Sequence, residues 1–401
     1  MQELIRDDAA REITLGPDPL SSALRSDLRQ RVERIIREEL WAALGAEPYE
    51  RTPERRGYLH SPRERTLTTA EGTATITVPR GRLFKPEGGS EEWRSQLLPR
   101  YARRTREVDA ALIGLYLSGT NTRRVKLALK PLLKGAPLSK STVSRVVTGL
   151  QDQYETWRSR DLSGEALKVL YLDAVWLRVR LAKKIEKLPV AVAVGVREDG
   201  AKVLLGLWAY ASEGRAAWGG VLEDLTARGL PVPALVVIDG SKGLRGAVSE
   251  CWPKVAAVQR CTVHKLRNLK AHAPKRLHDE LHQDYHEIVY ADDEQAARRA
   301  WLKFTTKWKK RCPAVVESLE EAGAELLTFY RFPESQWKGL RTTNIVERVI
   351  EEFRRRVKTQ AVLPSEDSAL LLLYGLAASG QLRFRKLDGY QELDQVGQVA
   401  A

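Results

Sequence analysis

The sequence holds the stretch Val169-Leu170-Tyr171-Leu172-Asp173-Ala174-Val175, an apolar run that contains one carboxylate. A short continuous apolar run of this kind predicts a strand that is buried on both faces. Further apolar runs predict four more strands, at 189–196, 203–210, 234–238 and 255–263. Helical patterns at 218–228 and 241–251 separate the last three strands. The sequence therefore predicts an α/β region.

The order of these elements is three consecutive strands, then helix, strand, helix and strand. This order is that of a ribonuclease H-like fold, in which the sheet is mixed. Residues 265–334 have a helical pattern throughout and are predicted to form an all-helical insertion. Helices at 343–359 and 365–379 are expected to close the core. The α/β domain is thus predicted to comprise 165–264 and 335–380, and residues 381–401 are expected to form a loosely held tail.

The net charge points to the kind of partner. The chain has 401 residues, with 66 Lys and Arg against 52 Asp and Glu, so its formal net charge is +14. So large a cationic excess favours binding to phosphates, because neutralised phosphates release counterions. A polyanion is therefore the expected partner.

Three features predict a cytoplasmic protein without a membrane span. The three cysteines show no paired spacing, so a reducing compartment is expected. The longest apolar runs, at 188–196 and 369–378, are far shorter than the roughly 20 residues of a spanning helix. Residues 1–11 carry acids and have no apolar core of signal-peptide type.

The first hundred residues are predicted to contain a helix and a basic hairpin. Residues 1–50 have apolar positions at helical spacing, so they are predicted to form a helical arm that ends at 45–48. In 51–100 the pattern changes to alternation around Glu71-Gly72, which predicts a β-hairpin. Arginines flank both strands of this hairpin.

Residues 101–160 concentrate the positive charge. Between 101 and 150 there are ten Lys or Arg and two acids. Three predicted helices, at 108–117, 122–133 and 140–150, resemble a helix-turn-helix module, and an ordinary solvated bundle is the alternative. The predicted DNA contacts here are Arg103, Arg104, Arg123, Arg124, Lys126, Lys140, Thr142, Ser144 and Arg145.

Two carboxylates stand at the ends of predicted buried strands. Asp173 follows Leu172, and Asp239 follows Ile238 and precedes Gly240. A carboxylate beside apolar residues is costly unless it is solvated, paired or bound to a cation. Cation binding is the functional interpretation, and capping of the next turn or helix is the alternative for each.

A third acid lies near the start of a predicted helix. Glu347 follows Asn344 by three residues, so the two share one helix face. Glu351, one turn later on that face, is the competing assignment. Three carboxylates from two strands and a helix would bind two Mg²⁺ or Mn²⁺ ions about 3.5 to 4 Å apart, an arrangement suited to phosphoryl transfer. The sequence has no Walker loop, so it gives nucleotide hydrolysis no support.

A Cys-x-x-His pair is the next candidate. Cys261 and His264 could be half of a zinc site, completed by downstream histidines. Those histidines are His272, His278, His282 and His286. The preferred interpretation places His264 at the end of the fifth strand, where it would donate a hydrogen bond to a phosphate or to the third acid.

Four segments in order carry a more specific signal than any single motif. They are Tyr171-Leu172-Asp173 and the stretches 237–244, 258–268 and 341–348. On these residues the chain resembles the bacterial Mutator-type insertion-sequence transposases of the acid-triad (DDE) class. The similarity extends to 78–80, 101–104 and 138–144, so it covers roughly residues 50–380.

The resemblance implies a ribonuclease H-like catalytic domain. Asp173, Asp239 and Glu347 are implied to bind the two metal ions, with His264 as a further catalytic residue and Cys261 as a structural neighbour. Members of this family cut and join DNA at the terminal inverted repeats of their own element. Double-stranded DNA is then the partner, a homodimer is expected because two ends must be brought together, and the protein would be nucleoid-associated.

The resemblance also extends the set of expected DNA contacts. Beside the acids, these are Lys265, Arg267, Asn344 and Arg348. The chain departs from the family at Leu363-Pro364, where members often have Phe-Pro, and in the hairpin at 57–65. These departures concern recognition of the DNA ends and leave the acids unchanged.

Three alternative functions stay open. The first is a catalytically silent DNA-binding or regulatory protein with the same fold. The second is a related nuclease or resolvase that cleaves without joining. The third is a zinc-dependent structural module.

Overall fold

The computed structural model describes residues 19–69, 72–117, 140–181, 184–253, 257–358, 362–380, 382 and 384–395. The chain divides into two compact units. Residues 1–116 and 120–146 form the first unit, and residues 117–119 and 147–401 form the second.

The first unit contains a long helix and an antiparallel sheet. Its elements are α1 (Pro19–Leu44), β1 (Gly57–Thr69), β2 (Gly72–Phe84), β3 (Ser90–Glu92) and α2 (Arg106–Leu117). Strands β1 and β2 pair in antiparallel fashion up to Thr69 and Gly72, and β3 pairs with β2. The predicted helix and hairpin are therefore present in this unit.

Helix α1 packs on the hairpin. Ile36 of α1 is fully buried and clusters with Ile76 of β2. One turn before it, the Glu33 carboxylate accepts a hydrogen bond from the Thr77 backbone nitrogen at 2.8 Å. At Gly81 the backbone passes so close to α1 that a Cβ atom would lie 2.9 Å from the Leu40 side chain. The helical arm is thus joined to the hairpin by apolar packing and by the hydrogen bond between Thr77 and Glu33.

The predicted helix-turn-helix region is described in part. Helix α2 covers the first predicted helix, and α3 (Lys140–Arg158) covers the third. The second predicted helix lies outside the described residues, with Arg123, Arg124 and Lys126. Also outside the described part are the side chains of Lys140, Thr142, Ser144 and Arg145. Arg103 is exposed, whereas Arg104 forms an ion pair with Asp109 at 2.7 Å.

The second unit is built on a mixed sheet. In the described part of the chain this sheet has five strands in the order β6-β5-β4-β7-β8. Strands β4, β5 and β6 are antiparallel neighbours, and β4, β7 and β8 are parallel. The elements are β4 (Leu167–Leu181), β5 (Lys184–Arg197), β6 (Lys202–Ala209), α4 (Arg215–Ala227), β7 (Leu235–Ile238), α5 (Lys242–Cys251) and β8 (Ala257–Arg260).

Both faces of this sheet are covered. Side chains alternate between the faces of a strand, so Leu170 and Leu172 point to one side and Tyr171 and Asp173 to the other. On the first side, the leucines share a buried core with Leu222 of α4 and other residues of α4 and α5. This burial explains why the strands read as continuous apolar runs in the sequence.

In the described residues after β8, the regular elements are all helices. The helices are α6 (Thr262–Ala271), α7 (His278–Val289), α8 (Glu294–Lys309), α9 (Pro313–Ala322), α10 (Glu334–Leu340), α11 (Asn344–Lys358) and α12 (Glu366–Ala378). Helices α11 and α12 pack against β4. The buried stripe of α11 includes Val346, Val349 and Phe353, whereas Ile345 is only half-buried. Within the described residues no helix has the length and apolar content needed to cross a membrane.

The fifth strand is shorter than the sequence predicts. It ends at Arg260, whereas the apolar run continues to Val263. The Cys261 nitrogen donates to the Ile238 carbonyl at 2.7 Å, and the Cys261 carbonyl then accepts from the Lys265 nitrogen at 3.0 Å, which starts α6. The prediction that His264 ends this strand is therefore wrong, because His264 lies in the first turn of α6.

The described part of the tail is docked on the second unit. Leu387 is 2% exposed, and its backbone nitrogen donates to the Gly200 carbonyl at 3.0 Å. A Cβ atom on Gly339 would lie 2.5 Å from the Leu387 side chain, so Leu387 also packs against α10. The expectation of a loosely held tail is wrong for this segment, since Leu387 provides an apolar anchor.

The core between the sheet and α4 yields a test of the fold. We expect Leu222→Ala to lower the free energy of unfolding of the second unit by about 2 to 5 kcal/mol, because it leaves a cavity at a fully buried position. The measurement is urea unfolding followed by hydrogen exchange of the β5 amides. Glu223→Ala, at the exposed neighbouring position of α4, is the control and should change this value by less than about 0.5 kcal/mol. Equal effects of both substitutions would contradict the described packing.

Candidate active site

Two carboxylates come from neighbouring parallel strands. Asp239 directly follows β7, whereas Asp173 lies inside β4, which continues to Leu181, so the prediction that Asp173 ends its strand is wrong. In the register of β4 and β7, Leu172 is the partner of Ile238, so Asp173 and Asp239 follow paired positions. The Asp173 carboxylate accepts from the Ala174 nitrogen at 2.8 Å, and the Asp239 carboxylate accepts from the Ser241 nitrogen at 2.8 Å. Sheet pairing therefore brings together the first two acids that the sequence singles out.

Helix α11 brings the third acid to the same place. Ligand atoms of Asp173, His264 and Glu347 all lie within 4.8 Å of one another. Asp239 is not part of this group, but its charge raises the pKa of both Asp173 and His264, so it faces the same cluster. Glu351, the competing candidate, is exposed and lines a separate cavity beside α11.

Cys261 joins the starts of α6 and α11. Its buried sulfur accepts from the backbone nitrogen and the hydroxyl of Thr343, each at 3.4 Å. The Thr343 hydroxyl also lies 3.4 Å from Nδ1 of His264, and Nε2 of His264 lies 3.6 Å from a Glu347 oxygen. Thr343 is a residue that the sequence analysis does not single out, and no sequence signal marks its contact with Cys261.

The zinc hypothesis finds no support in the described residues. Within them, the group of Asp173, His264 and Glu347 is the one set of three or more candidate ligands, and it does not include Cys261. Downstream, Nε2 of His278 hydrogen-bonds to the Ala273 carbonyl at 3.0 Å. In the described part of the chain, Cys261 and His264 are instead linked by hydrogen bonding to each other and to the Thr343 hydroxyl.

The electrostatics of the cluster are set by burial and by the acids themselves. Burial raises the pKa of Asp173 to about 6, His264 opposes this, and the charges of Asp239 and Glu347 add to it. Burial lowers the pKa of His264, but its hydrogen bond with Cys261 and the charges of Cys261, Asp173 and Asp239 outweigh burial and raise it to about 9. His264 is therefore protonated at neutral pH, and Asp173 ionises at a higher pH than an exposed aspartate does.

A buried ion cluster holds the turn that follows Asp239. Arg260 is 4% exposed and donates to the Gly240 carbonyl and, at 3.0 and 3.1 Å, to the Glu321 carboxylate. Gly240 has a φ of 90°, and a Cβ atom there would lie 2.6 Å from Nε of Arg260. Nζ of Lys265 reaches the same Glu321 carboxylate at 2.9 Å. Sequence analysis missed Arg260 and Glu321, which lie 61 positions apart.

The expected DNA contacts beside the acids differ in accessibility. Lys265 is 3% exposed and is held by Glu321, so its position does not fit a contact with DNA. Arg267 is exposed and donates to a Glu347 oxygen at 3.2 Å. Asn344 and Arg348 are exposed and line a cavity of about 560 Å³ next to α11. Other cationic residues of this cavity wall are Lys202, Lys338, Arg385 and Lys386.

Comparison with known proteins gives one consistent result. Residues 3–386 match the family described as "Transposase, Mutator family". The chain is 34% identical over 389 residues to the transposase for insertion sequence element ISRM5 of Rhizobium meliloti, covering 97% of this chain and 94% of that protein. It is 35% identical to the transposase for IS406 of Burkholderia multivorans over 88% of each chain. It is 30% identical to the transposase for IS905 of Lactococcus lactis, over 86% of this chain and 85% of that one.

The buried carboxylate of Asp173 yields a test in the absence of divalent cations. Because its pKa rises from 3.8 to about 6 on folding, stability is lost as the pH rises from about 4 to 6 and stays lower above 6. We expect Asp173→Asn to unfold with a free energy up to about 3 kcal/mol higher than the wild type at pH 8. The advantage should vanish near pH 4.

Thermal unfolding in EDTA at both pH values measures this effect. The exposed Asp292→Asn is the control, and it should follow the wild type at both. An Asp173→Asn variant that is less stable than the wild type at pH 8 would contradict this prediction. It would show that neighbouring charges and hydrogen bonds offset the cost of burying the ionised carboxylate.

The ion cluster of Arg260 yields a second test. Glu321→Ala leaves two buried cations without their carboxylate, which alone would cost about 3 to 5 kcal/mol. Glu321 is 39% exposed, so water reaches the remaining cations and we expect a loss of about 1 to 3 kcal/mol. Urea unfolding measures it, with the exposed Glu320→Ala on the same helix as the control. If the two variants unfolded alike, the cluster would not contribute to stability.

Proposed function

This chain belongs to the Mutator family of transposases, and on that premise we propose that it cuts DNA and joins the cut ends to a target by phosphoryl transfer. The reacting centre in this proposal is Asp173, Asp239, Glu347 and His264. The observation that carries it is the register of β4 and β7, which sets Asp173 beside Asp239, together with the packing of α11 on β4, which brings Glu347 within 4.8 Å of Asp173.

We further propose that the second unit has a ribonuclease H-like fold. The strand order β6-β5-β4-β7-β8, with three antiparallel strands followed by two parallel ones, supports this assignment. The catalytic domain would comprise 165–264 and 335–380, with 265–334 as its helical insertion. Residues 1–50 would be an arm and 51–100 the hairpin region of the first unit. Residues 101–160, which begin in the first unit and end in the second, would be the helix-turn-helix-like domain.

The donor set fits divalent metal ions. Asp173, Asp239 and Glu347 supply only carboxylate oxygens, which are the ligands that Mg²⁺ and Mn²⁺ prefer. Burial raises the pKa of Asp173, with the charges of Asp239 and Glu347 adding to it, and a bound cation would favour the ionised carboxylate. When bound, a pair of such ions supplies activation of the attacking oxygen and stabilisation of the leaving oxygen.

The neighbouring side chains position the acids. Protonated His264 would attract both carboxylates by charge, since its ring lies within 4.8 Å of Asp173 and 3.6 Å from Glu347. Cys261 fixes Thr343, the residue before α11, and so sets the place of Glu347 one turn later. Arg260 fixes the turn after Asp239 through the Gly240 carbonyl. Each acid thus has its own support, and no covalent protein nucleophile is required.

The DNA would be held by the cationic surface. The net charge of +14 supports this, as do exposed Arg103 in the first unit and exposed Arg267, Asn344 and Arg348 around the acids. The named relatives are transposases of insertion sequences, so the expected DNA is the terminal inverted repeats of this protein's own element, together with a target. Two ends must meet in one complex, for which we propose a homodimer in the bacterial cytoplasm.

The test is cleavage and strand transfer on a labelled duplex that carries the terminal repeat, with Mg²⁺ or Mn²⁺. We expect Asp173→Asn, Asp239→Asn and Glu347→Gln each to lower the rate of both reactions at least about 100-fold, because a metal ion contributes several kcal/mol to the transition state. Denaturing gels would resolve nicks with 3′ hydroxyls and joined products. Gel-shift affinity for the repeat should stay within about threefold, since cations of the protein dominate binding.

The matched control is Glu351→Gln, which lies one turn from Glu347 and should keep full activity. Full activity of Asp239→Asn would place the chemistry elsewhere. Nicks without joined products in the wild type would identify a nuclease. Binding of the repeat without cleavage, with either metal, would identify a silent DNA-binding protein.

A further inference from the structure

A ladder of planar side chains lies on the surface of α7 and at its end. The ring centroids of His282 and His286 are 4.3 Å apart, and those of His286 and Tyr290 are also 4.3 Å apart. The guanidinium carbon of Arg341 lies 3.9 Å from the centroid of the Tyr290 ring. The ladder is not part of a core, because Tyr290 is 55% exposed and His286 is exposed as well.

Cations connect this ladder to the candidate active site. Arg267 on α6 donates to Glu347, and Lys270 lies about one helical turn further along α6. Burial lowers the pKa of His286, and the charges of His282, Arg341 and Lys270 lower it further. We name Arg267, Lys270, His286, Tyr290 and Arg341 the aromatic strip. Arg267 contacts Glu347 at one end of the strip, and Arg341 contacts the exposed ring of Tyr290 at the other.

The strip is held by the backbone of the elements that form the site. The Arg341 carbonyl accepts from the backbone nitrogen of Thr262 at 2.9 Å, which ties the start of α6 to the residues before α11. The Arg341 guanidinium donates to the Val289 carbonyl at 3.4 Å. Arg341 is therefore hydrogen-bonded to both α6 and α7.

We propose that the aromatic strip binds single-stranded DNA next to the phosphate that is cut, a proposal that rests on the proposed function. Cations spaced along a path and an exposed aromatic ring at its end match what an unpaired strand offers, namely phosphates and free base faces. In a duplex the bases stack on each other, so their faces are not available to a side chain. The strip thus selects an unpaired segment, with phosphates on Arg267 and Lys270 and a base on Tyr290 and Arg341.

The experiment compares two fluorescent DNA probes. One is a blunt duplex of 20 base pairs, and the other is the same duplex with a tail of five thymidines. Anisotropy of the whole chain in EDTA at fixed salt gives both affinities without cleavage. Their ratio, the tail preference, cancels the contribution of the other basic regions, which act equally on both probes.

We expect the wild type to prefer the tailed probe and Tyr290→Ala to reduce this preference about 5- to 100-fold, the range for loss of stacking on one base. Tyr290→Phe keeps the ring and should keep the preference. Tyr290→Leu keeps an apolar side chain of similar size without a flat face, so it should lose the preference while remaining folded. Leu302→Ala, at a position 67% exposed on α8, is the control.

Two results would overturn the proposal. One is a wild type that binds both probes equally. The other is a tail preference that Tyr290→Ala and Tyr290→Leu both retain. Failure of the catalytic proposal is a separate observation, because cleavage that survives loss of the acids leaves the tail preference unchanged.

Discussion

Parallel pairing of β4 with β7 is the constraint on which the rest of the second unit depends. Its register places Asp173 and Asp239 side by side, and the burial of both sheet faces makes an ionised Asp173 costly. The protein meets this cost with groups that come from far along the chain. Protonated His264 lies near Asp173 and opposes the rise of its pKa. The same pairing that stabilises the sheet thus creates a demand for positive charge at one point.

The supports of the acids have a common form, in which each links the sheet to a distant helix. Cys261 receives hydrogen bonds from Thr343 and donates its own backbone nitrogen to Ile238, so a single residue joins β7 to α11. Glu321 draws Arg260 and Lys265 to one carboxylate and so joins α9 to β8 and α6. The helical segment is therefore part of the frame of the site as well as an addition to the sheet.

The sequence predicts the strands and the acids more accurately than it predicts which residues contact the acids. Continuous apolar runs identify the strands, and a single carboxylate in or just after such a run singles out Asp173 and Asp239, because period and polarity are local properties. The end of β4 is missed, since this strand continues past Asp173 to Leu181. His264 is misplaced because the run up to Val263 reads as a strand, while hydrogen bonds to Ile238 and Lys265 end it at Arg260. From the sequence, Lys265 is expected to be a surface cation. The fold shows that it is buried and forms an ion pair with Glu321. Contacts between distant residues, like the one that docks Leu387, leave no pattern in a local window.

The distance along the chain between the acids has a consequence for the protein during its synthesis. Asp173 and Glu347 are 174 positions apart. At about 5 to 20 residues per second, translation separates their appearance by about 9 to 35 seconds. Through that interval the nascent chain already carries its basic N-terminal regions, while its acids are still incomplete. Under the proposed function, the order of the sequence would let the chain bind DNA before its three acids are assembled.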